Sequence, residues 1–268
     1  MPLVVCPTPI GNLEDVTLRV LRELREADLV LCEDTRRTRI LLLHHGVEAR
    51  LESFHRHNEA RRTAEALPRL AAGERVALAS DAGLPGVNDP GAGLIAAAIE
   101  AGVDVTVLPG PSAVETALVA SGLLGERYAF VGYLPRRREG LERLWAELAR
   151  ATWPVVAFES PRRLPASLAG LAEADPARRV AVCRELTKRF EEIARGTAAD
   201  VAERFREPPK GEVTVVIGPA AHASARDDDE AAAAVSELVE AGLPRRRAAD
   251  LVSRLTGAPK NRLYRGSL

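Results

Sequence analysis

Cysteine is scarce in this chain, and its spacing excludes two classes of protein. The 268 residues include three cysteines, Cys6, Cys32 and Cys183, which lie far apart in apolar runs and form no CxxC pair. An odd count without paired spacing argues against a disulfide framework and against a zinc site. The five histidines form no HExxH motif and no Cys/His cluster, so no metal site is predicted.

Long hydrophobic runs are also missing. No apolar stretch approaches the roughly 18 residues that a bilayer-spanning helix requires. The first residues, MPLVVCPTPIGN, carry no basic segment ahead of their short apolar run and do not resemble a signal peptide. We therefore expect a cytoplasmic protein with no membrane partner.

Lysine and aromatic residues are few. Only three of the 37 basic residues are lysine, the formal net charge is -1, and aromatic residues make up 4% of the chain. Arginine suits phosphate and carboxylate recognition through its planar fork, although an alanine- and arginine-rich composition also arises from coding habit. Extensive stacking on bases is not expected. Composition alone therefore leaves the partner open.

Short apolar runs alternate with helical stretches along most of the chain. Near-continuous apolar strands of this kind predict a parallel sheet covered on both faces in the first half. The second half also alternates apolar runs with helical stretches, and its last strand is expected to lie in an antiparallel or mixed sheet. We predict an α/β fold with two domains at 1–122 and 123–222. The predicted strands are 3–6, 28–33, 75–80, 104–109, 128–134, 153–160, 178–186 and 211–218.

The last forty residues have a different pattern. A polar, acidic stretch at 222–230 is interpreted as a break, and three short helices are predicted within 228–268. From Leu243 onward seven basic residues face one acid, Asp250. This predicts a helix-turn-helix-like module for nucleic acid, with a solvated helical cap as the alternative.

Three unusual loops follow predicted strands of the first half. They are CPTPIGN (6–12), SDAGLPGVNDPG (80–91) and PGPSA (109–113). Open parallel sheets bind ligands at the carboxyl ends of their strands. None of the loops is GxGxxG or GxxxxGK[ST], and their prolines remove N–H donors that a diphosphate would need. A dinucleotide or nucleoside triphosphate is therefore disfavoured.

A phosphate-free ligand with a carboxylate, an ammonium, a ribose and an adenine suits these loops better, and S-adenosylmethionine is such a ligand. Asp81 is suited to an amino or hydroxyl group, Gly83 allows close backbone approach, and Ser112 is suited to donate to a carboxylate. Phe158 or Leu186 are candidates to flank the base. The alternative is that these segments are simply well-formed turns.

Nine motifs occur in an order that resembles a known family. They are PTPIGNLEDVTLRVL, CEDTRRT, HRHNE, SDAGLPGVNDPG, LPGPSA, GYLPR, FESPRRL, RELTK with FEEIARGT, and KGEVTVVI. Together, from about Leu3 to Ile217, they resemble the tetrapyrrole-methylase superfamily (class III S-adenosylmethionine-dependent methyltransferases). The closer resemblance is to its branch that methylates the 2′-oxygen of a cytidine in small-subunit (16S) ribosomal RNA. The C-terminal helices also look like that branch's tail.

The resemblance implies two α/β domains with the cofactor in the cleft between them, and a homodimer. Two positions depart from the family's pattern: Leu84 stands for a threonine and Gly86 for a bulky aliphatic residue. These departures leave the individual contacts of Leu84 and Val87 open, although not the role of the loop. The implied contacts to S-adenosylmethionine are Pro9, Asp81, Ala82, Gly83, Leu84, Val87, Ser112, Ala113, Phe158, Leu186, Gly211 and Glu212.

Methyl transfer to a ribose hydroxyl requires alignment of the reactants, together with a general base or a cation near the hydroxyl. Candidates for this role are Glu33, Asp34, His55, His57 and the pair Glu185 with Lys188. Because RELTK is one of the family-like motifs, Glu185 and Lys188 are the predicted catalytic residues. The alternative is an ordinary surface ion pair.

Arginine clusters are the predicted contacts to ribosomal RNA, because phosphate contacts position RNA and lose affinity as salt rises. Two other functions stay open: a methyltransferase of the same fold acting on a tetrapyrrole or other small molecule, and a non-catalytic RNA-binding ribosome assembly factor. The arginines of CEDTRRT speak against a macrocycle. The predicted RNA contacts are Arg36, Arg37, His55, His57, Arg136, Arg137, Arg245, Arg246 and Arg262.

Overall fold

The chain folds into two compact units in this computed structural model, which describes residues 2–256 and 258–267, with residues 221–230 described by their backbone alone. The first unit is Met1–Ala117 with Arg184–Glu192, and the second is Leu118–Cys183 with Ile193–Leu268. Residues 184–192 pack with the first unit, although the predicted boundary assigns them to the second domain.

The first unit is built on a parallel sheet of five strands. These are β1 (Leu3–Cys6), β2 (Leu29–Cys32), β3 (Leu51–Ser53), β4 (Val76–Ala79) and β5 (Val105–Val107), in the order β3-β2-β4-β1-β5. Every recorded pair in it is parallel. The helices are α1 (Leu18–Glu26), α2 (Thr35–His44), α3 (Glu59–Ala71), α4 (Ala92–Glu100) and α5 (Ala113–Ser121), of which α5 continues past the end of this unit at Ala117.

Both faces of this sheet are buried, which explains the near-continuous apolar strands. Val4, Cys6 and Val30 belong to one core cluster, while Leu3 and Leu31 belong to another. Successive side chains of a strand point to opposite faces, so neighbouring residues enter different cores. The predicted doubly covered parallel sheet is confirmed.

The second unit contains a mixed sheet. Its strands are β6 (Ala129–Tyr133), β7 (Val155–Glu159), β8 (Arg179–Arg184), β9 (Glu192–Thr197) and β10 (Val213–Ile217), in the order β6-β7-β10-β8-β9. β6 runs parallel to β7, whereas β10 runs antiparallel to β7. The expected mixed character of the last strand is confirmed. The helices here are α6 (Arg138–Leu148), α7 (Leu164–Ala174) and α8 (Ala198–Arg204).

Three helices close the chain: α9 (Ala221–Glu240), α10 (Arg245–Thr256) and α11 (Lys260–Gly266). They share a small core of their own, formed by Ala231, Val235, Ala248, Ala249, Val252 and Leu263. The three-helix prediction is confirmed, but the predicted break at 222–230 is wrong, because α9 is helical from Ala221. The stretch contains no glycine or proline and includes alanine, the strongest helix former.

Candidate functional site

The carboxyl edge of the first sheet gathers the three loops singled out in the sequence. β1, β4 and β5 are adjacent and parallel, so the loops that follow them leave the sheet at the same edge. The start of α2, with the CEDTRRT motif, follows β2 at that edge. This is the position at which parallel sheets hold ligands.

The loop after β4 (residues 80–91, the 80–91 loop) is joined to the loop after β1. Thr8 and Gly83 exchange two backbone hydrogen bonds, each 2.9 Å from nitrogen to oxygen. The Thr8 hydroxyl also donates to the carbonyl oxygen of Ser80 at 2.9 Å. Gly83 has a φ of 76°, a conformation that other residues rarely adopt. Glycine is therefore required where the two loops meet.

The loop after β5 presses against the loop after β1. A Cβ atom added at Gly110 would lie 2.8 Å from two ring atoms of Pro7, so no larger residue fits there. Ser112 precedes α5, and its hydroxyl donates to the carboxylate of Glu115 in the first turn of that helix. The predicted cofactor residue Ser112 therefore already has an acceptor within its own helix start.

Asp81 links the 80–91 loop to the start of α2. One carboxylate oxygen accepts the backbone N–H of Asp34 at 2.9 Å, and the other lies 3.6 Å from Nη1 of Arg37. Asp34 caps α2 by accepting the N–H of Arg36 at 2.8 Å. The side chain of Asp34, one candidate base, is thus engaged in shaping the site.

A group of acidic side chains lies at this edge. Burial, followed by the Asp81 carboxylate, raises the pKa of Glu33, while Arg56 and Arg37 oppose the shift. Burial, with Glu33 and Asp81, raises the pKa of Asp89 to about 6. Asp89 was not among the site residues predicted from the sequence. These carboxylates repel one another, so the edge favours a cationic ligand over an anionic one.

Asp89 gives a pH-dependent prediction. Its pKa rises from an ordinary 3.8 to about 6 in the folded chain. Between these two pH values, the folded state keeps a proton that the unfolded state has lost. The stability contributed by Asp89 is therefore present at low pH and is lost as the pH rises through about 6. Since asparagine cannot ionise, we expect Asp89→Asn to be more stable than the unmodified chain at pH 8. The difference should shrink toward pH 4 in urea unfolding measured across that range.

Asp200 is the control for this prediction, because hydrogen bonds from Thr197 lower its pKa. Asp200→Asn should lose stability relative to the unmodified chain at neutral pH, and this loss should disappear in acid. A stability difference for Asp89→Asn that does not change with pH would contradict the prediction.

The RELTK turn packs on the loop after β1. A Cβ atom added at Gly11 would lie 2.5 Å from Cγ of Lys188 and 2.7 Å from both the Leu186 carbonyl oxygen and Oγ1 of Thr187. The same hydroxyl oxygen of Thr187 accepts the N–H of Asn12 at 3.0 Å. The absence of a side chain at Gly11 is what allows this turn to approach.

Glu185 and Lys188 form an ion pair within that turn. The Lys188 ammonium lies 2.9 Å from the Glu185 carboxylate, and the two side chains are 29% and 19% exposed, respectively. Glu185 and Thr187 have φ values of 52° and 64°, unusual for residues with a side chain. Thr187 also donates its N–H to the Glu191 carboxylate at 2.7 Å. Backbone strain held in place by surrounding contacts is typical of functional sites.

In the second unit, Phe158 on β7 lies in an aromatic cluster. Its ring centroid is 5.0 Å from that of Phe130 and 5.6 Å from that of Tyr133. Gly211 and Glu212 precede β10 and are exposed, and Gly211 has a φ of 94°. An apolar ring surface is thus present at Phe158, as the prediction for a base-flanking residue requires.

Some basic residues of the second unit are exposed, while others are engaged in contacts within the fold. Arg136 and Arg137 are exposed in the loop after β6. Arg163 instead donates to the carbonyl oxygens of Leu134 and Pro135, each at 3.2 Å, and pairs with the buried carboxylate of Glu159 at 2.5 Å. Arg163 therefore holds this loop in place.

In the C-terminal helices, Asp250 accepts Nζ of Lys260 at 2.6 Å and lies 3.7 Å from Nε of Arg254. Arg246 and Arg262 are exposed, while Arg245 is partly buried. α10 and α11 together carry seven basic residues and one acid, Asp250, which offsets two of them, so the surface of these two helices remains basic.

The two predicted RNA-contacting histidines differ in exposure. His57 is exposed, while His55 is partly buried and its Nδ1 has no hydrogen-bond partner. Their rings meet edge to face at 5.9 Å.

The described residues include neither a metal-binding cluster nor a membrane-spanning helix. In that part of the chain, no three His, Cys, Asp or Glu side chains are grouped so that they would hold a metal ion. Across the same residues, no helix has both the length and the hydropathy that crossing a membrane requires.

The family is established by comparison with known proteins. Residues 2–202 match the model of the tetrapyrrole (corrin/porphyrin) methylases, and residues 225–266 match the RsmI C-terminal HTH domain. The chain belongs to the tetrapyrrole methylases. The predicted methyltransferase class and the C-terminal helix-turn-helix module are thereby confirmed.

One relative supports this assignment, and two solved structures share the fold. A protein of Mesorhizobium japonicum, named Ribosomal RNA small subunit methyltransferase I, is 42% identical over 98% of this chain and 90% of its own. The methyltransferase CobJ has a TM-score of 0.63 at 24% identity, covering 82% of this chain and 95% of its own. The Thermus thermophilus uroporphyrin-III C-methyl transferase complexed with S-adenyl homocysteine has a TM-score of 0.57 at 21% identity, covering 81% and 97%. Both structures share the fold.

Proposed function

We propose that this chain transfers a methyl group from S-adenosylmethionine to the 2′-oxygen of a cytidine in small-subunit (16S) ribosomal RNA. The observation that carries the proposal is the 42% identity over nearly the full length to a protein named for small-subunit ribosomal RNA methylation. The match of residues 225–266 to the RsmI C-terminal HTH domain adds to it, since such modules bind nucleic acid.

The residues at the carboxyl edge of the first sheet fit S-adenosylmethionine. Glu33, Asp81 and Asp89 bring acidic groups together there, and two of them have raised pKa values. The ligand carries a sulfonium and an ammonium, so its cationic groups would relieve this repulsion. A pyrophosphate would increase the repulsion. The charge of the edge therefore supports the methyl donor and disfavours a dinucleotide.

When bound, S-adenosylmethionine supplies an activated methyl group that an oxygen nucleophile attacks. The chain's own contribution is to align that nucleophile and to remove its proton. We assign the proton acceptor to the Glu185 carboxylate, and we assign to Lys188 the stabilisation of negative charge on the ribose oxygen. The 2.9 Å ion pair in a strained turn supports both roles.

Exposed arginines supply the contacts to RNA phosphates. Arg36 and Arg37 at the start of α2, Arg136 and Arg137 after β6, and Arg246 on α10 are all exposed. Binding through such groups weakens as salt rises, because counterions are released on association. A substrate of this kind would place the activity in the cytoplasm, and the homodimer implied by the family resemblance belongs to the same proposal.

Mass spectrometry of 16S ribosomal RNA from cells that lack this chain tests the function. We expect one cytidine ribose methyl group to be missing, and the full-length chain supplied in trans should restore it. An unchanged set of ribose methyl groups would overturn the proposal, as would the loss of a methyl group from a base.

Calorimetric titration of the purified chain with S-adenosylmethionine separates the enzyme from a non-catalytic assembly factor. Binding is expected for the enzyme. The absence of binding would favour the assembly factor.

A further inference from the structure

The 80–91 loop is fastened at its two ends by different segments of the chain. Its first residues are tied to the loop after β1 through Thr8 and Gly83. Its last residues are tied to the segment that follows β3 and ends with the first residue of α3, whose sequence is HRHNE (residues 55–59, the HRHNE segment). HRHNE is one of the nine family-like motifs, and only its two histidines were predicted to have a functional role.

Arg56 makes the first of these later ties. Its Nη2 donates to the carbonyl oxygen of Asn88 at 2.6 Å. Asn88 has a φ of 63°, in the left-handed region that asparagine tolerates better than most residues. The hydrogen bond therefore holds the loop at a residue whose backbone conformation is uncommon.

Glu59 makes the second tie, and it replaces a helix cap that the sequence does not provide locally. The N-cap residue of α4 is Gly91, which has no side chain to accept the first free N–H groups of the helix. Oε1 of Glu59 accepts the N–H of Gly91 at 3.0 Å and the N–H of Gly93 at 3.2 Å. A carboxylate is also favoured by the positive end of the helix dipole.

Gly91 cannot be exchanged for a residue that would cap the helix itself. Its φ is 131°, and a Cβ atom there would lie 2.8 Å from Cδ2 of the buried Leu78. The cap must therefore come from elsewhere in the fold, and Glu59 supplies it.

The HRHNE segment is itself held firmly. Oδ1 of Asn58 accepts the N–H of His55 at 2.7 Å, and its Nδ2 donates to the carbonyl oxygen of Ser53 at 3.1 Å. Glu59 therefore reaches the 80–91 loop from a segment that hydrogen bonds hold to the end of β3.

We propose that Glu59 is a positioning residue for the methyl donor and that Arg56 assists it. Glu59 fixes the last residues of the 80–91 loop, and this loop carries Leu84 and Val87, two of the residues implied to contact S-adenosylmethionine. This inference rests on the proposed function, since it assumes that the 80–91 loop contacts S-adenosylmethionine. Without the Glu59 carboxylate, the N–H groups of Gly91 and Gly93 lose their acceptor, and the end of the 80–91 loop next to α4 is no longer fixed.

Calorimetric titration of Glu59→Ala with S-adenosylmethionine tests the proposal. We expect the affinity to fall about tenfold, because loss of preorganisation displaces the loop without removing a direct contact. Glu59→Gln keeps an oxygen acceptor and should recover most of the affinity. Affinity for 16S ribosomal RNA should stay unchanged in both variants, which a general loss of structure would not allow.

Glu65→Ala is the matched control, because it removes an exposed carboxylate from the same helix. Among the described residues, this carboxylate pairs with Arg61 and Arg62 of its own helix. It should bind S-adenosylmethionine as the unmodified chain does. Unchanged affinity in Glu59→Ala would overturn the positioning role, as would an equal loss of RNA and cofactor affinity.

Amide hydrogen exchange separates failure of this inference from failure of the proposed function. Glu59→Ala should speed exchange selectively in residues 88–93, with or without ligand. If the unmodified chain does not bind S-adenosylmethionine, the proposed function fails and the positioning role fails with it. If it binds while exchange in residues 88–93 is the same in both proteins, only the positioning role fails.

Discussion

Replacing Lys188 with alanine is expected to lower the single-turnover rate of methyl transfer by about 100-fold or more, the range typical of acid–base groups. The substitution removes the cation 2.9 Å from the Glu185 carboxylate that we place beside the ribose hydroxyl. The ribose oxygen would then develop its negative charge without a neighbouring positive group. Affinity for S-adenosylmethionine should change by less than about threefold, since the effect lies in the chemical step.

The measurement is a rapid-quench assay with excess enzyme over small-subunit RNA and labelled methyl donor. Glu185→Gln should show a similar loss of rate, and the double variant should be little worse than either single one, because the two residues act together. Arg69→Ala breaks a comparable ion pair, 2.6 Å from Glu74, and should retain full activity. A Lys188→Ala chain with an unchanged rate would remove both residues from the mechanism.

Gly11→Ala is expected to be nearly as damaging, although it deletes no functional group. The new methyl group would lie 2.7 Å from the Leu186 carbonyl oxygen and 2.5 Å from Cγ of Lys188. Since the backbone oxygen cannot move aside alone, the RELTK turn must shift as a unit. We expect methyl transfer to fall by about 100-fold, because misplacement of about 1 Å can have that effect, together with a loss of about 1–3 kcal/mol in stability from overpacking.

Gly46→Ala provides the comparison for this variant. Gly46 has a φ of 63° and nothing within 4 Å of an added Cβ atom. Alanine there should lose about 1–2 kcal/mol of stability from backbone strain alone, with full methyl transfer at a temperature where the chain is folded. If Gly11→Ala behaves in the same way under the same assay, close approach of the turn is not needed for catalysis.

Most strands of the two sheets were predictable from the sequence, while two edge strands were not. β1, β2 and β4 are continuous apolar runs, β10 reads VTVVI with one threonine, and each was predicted to within two residues of its ends. β3 reads LES and β9 reads EIARGT, so neither has the apolar character that identifies a strand in the sequence. Both lie at a sheet edge. Their pairing is set by the neighbouring strand, which a local pattern does not reveal.

The candidate site was predictable where a loop had an unusual composition. Gly83 was singled out for close approach, and it exchanges backbone hydrogen bonds with Thr8. Glu59 was not recognised, because the N–H groups that donate to it lie 32 and 34 residues away in the sequence. Asp89 was not recognised, because its raised pKa depends on burial and on Glu33, which follows a different strand. The motif HRHNE was the sequence signal that included Glu59, but only its histidines were considered as functional candidates.

The segment Arg184–Glu192 has a consequence for how this protein can be divided. It is separated from the first unit's main span, Met1–Ala117, by the 66 residues Leu118–Cys183, yet it completes that unit. A shortened gene ending near the middle would encode a sheet without the turn that packs on Gly11. A chimera with another family member must therefore exchange Met1–Ala117 and Arg184–Glu192 together, because neither unit is a single continuous stretch of sequence.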